Sequence, residues 1–205
     1  MGKRATTNDA RMRQLMAQEA ARIMAEEGIG DYLIAKRKAA ERLAAPDTRN
    51  LPTNKEIQEA LIDYQRLFQA EDQASSLLSL RRTAVEAMRF LERFRPRLVG
   101  AVLHGTATQH SDVDLHIFAS SPEDVALYLI EHQIPYEASE RKLRFGREEH
   151  QAFPVFRFVA GDVVVDLTVF SDKGLREAPR SRIDGQPMER ASLAAVEAML
   201  RESVE

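Results

Sequence analysis

The chain contains no cysteine. That absence excludes disulfides and thiolate metal sites and fits a cytoplasmic protein. No apolar run approaches the ~20 residues needed to span a bilayer. The opening MGKRATTNDARMRQ has no apolar stretch of the kind a secretion signal carries, so no membrane association is expected. No charge of one sign dominates: 29 Lys and Arg face 32 Asp and Glu, a net of −3. A balance so close to neutral advertises neither nucleic acid nor an anionic surface as partner. There is no internal repeat and no low-complexity tract. What is present, with 44% hydrophobic residues among 205, is enough for one large globular domain or a small domain with an appended piece.

The chain changes character near residue 75, which predicts a helical region over 1–75 and an α/β unit over 76–205. After a loose tail (1–8), apolar spacing marks a helix from Asp9 to Glu27, punctuated by Gly28 and Gly30. Asp31 is placed to cap a second helix, whose Lys36, Arg37, Lys38 and Arg42 form a basic side. That side is either a phosphate or RNA contact or, more simply, a solvated face balanced by nearby acids. After a connector (46–52), Thr53 and Glu56 make a capping box for a third helix. A polar break over Gln69 to Ser76 is expected before a fourth helix, which Pro96 ends.

The α/β unit reads as a strand (98–104), a glycine turn, a strand (112–118) and a helix capped by Ser121 with Pro122 in its first turn. An exposed, charged edge strand (136–145) and a turn (146–151) follow. Residues 152–160 and 163–170 form a hairpin about Gly161-Asp162, a Gly-first pair suited to a type II′ turn. That turn sets Phe158 opposite Val165 and Arg157 opposite Asp166. Asp166 then points away from the apolar wall formed by Phe156, Phe158, Val165 and Leu167. A long connector (171–187) leads to a short last helix (192–203).

The stretch LVGAVLHGTATQHSDVDLHIF (98–118) carries the chemistry. Alternation puts Asp112, Asp114 and His116 on one face of the second strand. Carboxylates crowded on one face of a buried strand call for a cation, and hard Mg²⁺ is held by one or two carboxylates plus phosphate oxygens. A helix leading into a strand, a glycine turn, an Asp-x-Asp strand and a later strand Asp resemble the signature of the nucleotidyltransferase superfamily, the fold of DNA polymerase beta and of the small MNT-type proteins. The resemblance covers residues 98–172.

The resemblance implies an α+β fold, with a helical N-terminal region followed by a mixed β-sheet with flanking helices. It implies transfer of a nucleoside monophosphate from an NTP, with ATP the expected donor, to a small-molecule or protein acceptor. Asp112, Asp114 and Asp166 would bind Mg²⁺ or Mn²⁺, with Asp166 helping to deprotonate the acceptor. Gly105 and Thr106 would meet the triphosphate, and Arg157 would either pair with Asp166 or swing to a phosphate. Thr106 stands where serine is usual, and five residues separate it from Asp112, fewer than in most members, which implies a shortened phosphate-binding turn. His104, His110 and His116 recur at a spacing that matches no zinc motif; contact with ligands or substrate is their expected role. The alternative is a non-catalytic module that keeps the fold for binding or regulation, with the N-terminal helices as the partner surface. An RNA-directed enzyme using Lys36 to Arg42 fits the near-neutral charge poorly. The chain also resembles a small proteobacterial family, some of whose members carry the name of a UDP-N-acetylmuramate–alanine ligase. Such a ligase needs a Gly-rich phosphate loop with its lysine, and no GxxxxGK[ST] occurs here.

Overall fold

The computed structural model describes residues 7–45, 51–146 and 150–203. The expected tail, the connector after Pro46 and the turn after Gly146 lie in whole or in part outside them. The chain divides into two compact units, Met1–Gln73 with Arg182–Asp184, and Ala74–Ser181 with Gly185–Glu205.

The first unit is helical, with α1 (Thr7–Glu27), α2 (Tyr32–Arg42) and α3 (Asn54–Phe68). Small side chains let the helices approach closely: Ala20, Ala21, Ala35 and Ala39 are fully buried around Ile23 and Ile57. Leu15 is exposed, while Ala17 and Ala21 are buried. Asp31 caps α2 through the amides of Leu33 and Ile34, and Thr53 with Glu56 closes the expected box on α3. Lys38 and Arg42 on the basic side of α2 pair with Glu27 at 2.6 and 2.5 Å, as the solvated-face reading requires.

The second unit contains α4 (Ala70–Phe90, its first turn shared with the preceding unit), β1 (Arg97–Val99), α5 (Gly100–His104), β2 (Val113–Ala119), α6 (Pro122–Glu131), β3 (Glu137–Arg144), β4 (His150–Ala160), β5 (Val163–Ser171) and α7 (Leu193–Glu202). The α+β class is as expected. The strands form one mixed sheet in the order β1-β2-β5-β4-β3, with β2 and β5 parallel and the other pairs antiparallel. One sheet face buries Val113, Leu115, Ile117, Phe158, Val165 and Leu167 against apolar residues of α4, α6 and α7.

Two local expectations fail. The break expected over Gln69 to Ser76 narrows to Gln69, the C-cap of α3, because α4 begins at Ala70; the stretch is polar but has neither Gly nor Pro, and Ala, Glu and Gln sustain a helix. The strand expected over 98–104 stops at Val99. Gly100 turns the chain with φ +73, and the following apolar residues bury Val102 and Leu103 from a helical turn instead.

The hairpin keeps the expected register, Phe158 opposite Val165 and Arg157 opposite Asp166, and Gly161 has φ +64. β3 is the charged edge strand that was expected. The long connector is pinned. The Arg180 amide donates to the Arg144 carbonyl at 2.6 Å, and Ala191 and Leu98 exchange two backbone hydrogen bonds at 2.9 Å, extending the sheet beyond β1. Among the described residues no helix is long and apolar enough to cross a membrane.

Candidate functional site

The sheet face turned away from α4, α6 and α7 has two halves. In one, Phe118, Leu143 and Phe170 form a small apolar cluster with Phe145, Phe153 and Leu175. The other half is acidic and lies where β2 and β5 begin. Asp114 on β2 is the register partner of Asp166 on β5, and partners in adjacent strands project to the same face. The pleat that buries Val113 and Leu115 on one side therefore delivers both carboxylates to the other.

Asp112 joins them from the loop ahead of β2. A tight turn, with the Ser111 amide donating to the Thr108 carbonyl at 3.0 Å, leads the chain in. Arg157 Nη2 then donates to Asp112 Oδ2 at 2.6 Å. From β3, Arg141 Nη2 donates to Asp166 Oδ2 at 2.9 Å, and its Nη1 lies 3.7 Å from Asp114 Oδ1. Three carboxylates and two guanidinium groups thus share one cluster. Asp166 is its floor, with 3% of the side chain exposed. Asp112 and Asp114 stand nearer the mouth, at 37% and 34%.

The bonding is incomplete at the floor. Asp166 Oδ1 is buried with no hydrogen-bond partner, and so is Arg157 Nε; the latter lies 3.5 Å from Asp166 Oδ2, without hydrogen-bond geometry. Buried polar atoms left unpaired are costly and rare in folded proteins. The electrostatics match. Burial, then the Asp166 charge, pushes the Asp114 carboxyl up to about 6. Burial also raises Asp166, against the opposing pull of Arg141 and Arg157.

Gly100 shapes the wall beside Asp114. A Cβ built there would lie 2.9 Å from Asp114 Oδ2, and its positive φ is one that L side chains rarely adopt. The glycine that ends the strand next to the carboxylates is therefore Gly100, followed by Ala101. Gly105 and Thr106 come one helical turn later. Both their amides donate to the Ala101 carbonyl, ending α5. A Cβ at Gly105 would approach Leu77 and Arg81 of α4, and Thr106 is buried. The structure thus gathers Asp112, Asp114, Asp166 and Arg157, and turns Gly105 and Thr106 to the helix end. The whole of α5 and the loop after it separate Gly100 from Asp112.

The histidines are engaged separately. His116, 2% exposed, accepts from Arg190 Nε through Nδ1 at 3.0 Å. Burial, with Arg190 and Arg141 nearby, holds the ring well below its ordinary pKa, hence neutral. His104 lies 3.6 Å from Glu189, and His110 contacts Gln109. Among the described residues, no three His, Asp or Glu side chains stand arranged to hold a metal ion. The donors nonetheless suit one: all are carboxylate oxygens, one of them buried and unpartnered, beside a glycine cradle.

Sequence reasoning missed Arg141 and Gly100. Arg141 reaches the cluster through the register of β3 on β4, which strand parity alone does not set. It pairs with Phe153 and so shares the face of Arg157, four residues along β4. Its place in a charged edge strand concealed it.

No family model and no curated protein matches the chain. Among solved structures, a crystal structure of the Cid1 poly(U) polymerase with MgGTP bound is similar to it at 20% identity and a TM-score of 0.31. The match covers 45% of this chain and 32% of that one, a likeness too slight to carry an argument about activity.

Proposed function

We propose that the chain is a divalent-metal-dependent nucleotidyltransferase, moving a nucleoside monophosphate from an NTP to a small-molecule or protein acceptor. One observation carries the reading: Asp114 and Asp166 sit side by side on parallel strands with Asp112 beside them, and Asp166 Oδ1 is buried without a partner. Three such carboxylates would hold Mg²⁺ or Mn²⁺, which when bound neutralises phosphate charge and holds nucleophile and leaving group in line. Asp166, with its pKa raised by burial, suits the acceptance of a proton from the acceptor. Gly100 leaves room at the carboxylates. Arg157, 42% exposed, is placed to bind a phosphate oxygen. Gly105 and Thr106 contribute by ending α5 and so setting the path of the loop to Asp112. ATP is the first donor to test, and the near-neutral charge disfavours a nucleic acid acceptor.

Incubation of the purified protein with labelled NTPs, Mg²⁺ or Mn²⁺ and cell lysate tests the reading. Label transferred by the wild type and not by Asp114→Asn supports it; no transfer with any NTP and either metal refutes it. The same refuting result would favour the second reading, a non-catalytic module. Two features speak for that reading: the arginines already neutralise most of the acidic cluster, and Ala101 brings no hydroxyl after Gly100.

A further inference from the structure

The arginines of the acidic cluster hold only part of what lies beneath them. Arg157 makes one short bond, to Asp112, while its Nε remains buried and unpaired. Arg141 spans Asp166, Asp114 and the Thr168 hydroxyl, the last at 3.3 Å, and leaves Asp166 Oδ1 with nothing. The two kinds of group differ in freedom. Asp166 is fixed in the sheet with 3% exposure, whereas Arg141 and Arg157 end long, flexible side chains that are 34% and 42% exposed. If one member of the cluster moves, it is an arginine.

We propose that Arg141 and Arg157 form an anion-released latch: they occupy the carboxylates of Asp112, Asp114 and Asp166 until a polyphosphate draws the guanidinium groups outward and frees those oxygens for a divalent cation. This inference rests on the metal-site reading above and adds a residue to it, Arg141, together with an order of events. Both partners gain from the exchange. Planar guanidinium groups meet phosphate oxygens in bidentate fashion. The departure of the arginines frees Asp166 Oδ2 beside Oδ1, which already lacks a hydrogen-bond partner. Cation and polyphosphate then favour each other's binding, since each needs the same arginine position. A cation arriving alone must displace two cations already paired. A polyphosphate arriving alone must leave three carboxylates unneutralised.

Calorimetry on the full chain tests the latch with inorganic tripolyphosphate in chelator-treated, metal-free buffer, and separately with Mn²⁺ alone. Arg141→Ala is expected to bind Mn²⁺ roughly tenfold more tightly than wild type, a difference of about 1.4 kcal/mol, and to bind tripolyphosphate several-fold more weakly. Arg141→Gln repeats the measurement if the alanine variant melts early by circular dichroism. Mn²⁺ affinity unchanged or weakened in both folded variants overturns the latch, as does tripolyphosphate affinity equal to wild type. The two proposals fail separately. Tighter Mn²⁺ with no nucleotidyl transfer by the wild type leaves the latch standing and removes the enzyme. Transfer by the wild type with unchanged Mn²⁺ and tripolyphosphate affinities in Arg141→Gln does the reverse.

Discussion

Arginine meets carboxylate in both units of this chain, with opposite electrostatic results. In the helical unit Arg13 grips Glu56 through Nε at 2.8 Å and Nη2 at 2.7 Å, and Glu56 also accepts from the Thr53 amide as half of the α3 capping box. Both carboxylate oxygens accept and the side chain is 39% exposed, so the Arg13 bond first, then the Thr53 donors, bring the Glu56 carboxyl down to about 2. In the α/β unit Asp114 and Asp166 also have arginines, yet both are raised, because burial first, with the charge of a neighbouring carboxylate, outweighs the pairing. The same two residue types therefore make a satisfied structural joint in one place and a cluster with unmet hydrogen-bonding atoms in the other. Burial and the count of unmet acceptors decide between them, not the presence of an ion pair.

The sharpest break of that contrast is Asp114→Asn. If the chain is the proposed nucleotidyltransferase, label transfer at saturating NTP should fall by about a hundredfold or more, the effect of losing a metal ligand. A transfer rate equal to wild type would remove Asp114 from the site.

Next comes the glycine beside it. Gly100→Ala places a methyl 2.9 Å from Asp114 Oδ2 on a backbone at φ +73 and should cost about 1–3 kcal/mol in urea unfolding. Gly30→Ala in the helical unit meets nothing within 4 Å and should stay within ~0.5 kcal/mol of wild type. Equal effects of the two substitutions would mean that Gly100 is no cradle.

The pH dependence of the two carboxylates should then run in opposite directions. Asp114 holds its proton more tightly folded, at about 6, than at the ordinary 3.8. Its contribution to stability is full below the lower value and is lost as pH rises through the higher. Asp114→Asn, which cannot ionise, should therefore gain on wild type between those values, by about 1–2 kcal/mol once its open third is allowed for. Glu56 behaves conversely: its contribution is full above the ordinary 4.5 and is lost as pH falls toward about 2. Glu56→Ala should cost up to ~1 kcal/mol at neutral pH, with the gap to wild type closing in acid. Melting curves taken from pH 3 to 7 check both, and parallel profiles would contradict the comparison.

The smallest effect belongs to Lys38→Ala. Its pair with Glu27 is solvent-exposed and offset by Arg42, so the melting midpoint should not move. A clear loss would assign the basic side of α2 more than solvation.

Much of this molecule followed from the sequence because the relevant signals are local. A Ser or Thr followed three residues later by Asp or Glu closes a capping box within one turn, and Ser121 and Thr53 do so. A two-residue hairpin fixes its own register, which is why the sequence alone sets Arg157 against Asp166. Parity along one strand sends Asp114 and Val113 to opposite faces.

Only the tertiary structure decided the rest, because it depends on residues distant in the chain. The run of apolar residues after Leu98 has no periodicity that separates strand from helix at that length. What decides it is Asp114 against Gly100, which admits no side chain there, and the burial of Val102 and Leu103 in the core. Nor does any local rule place β5 beside β2, the pairing that brings Asp166 to Asp114, or carry Arg141 from the edge strand β3 into the same cluster. Sequence supplied the charges and their parity. The strand order, closing over long separations, decided which charges meet and which oxygen is left without a partner.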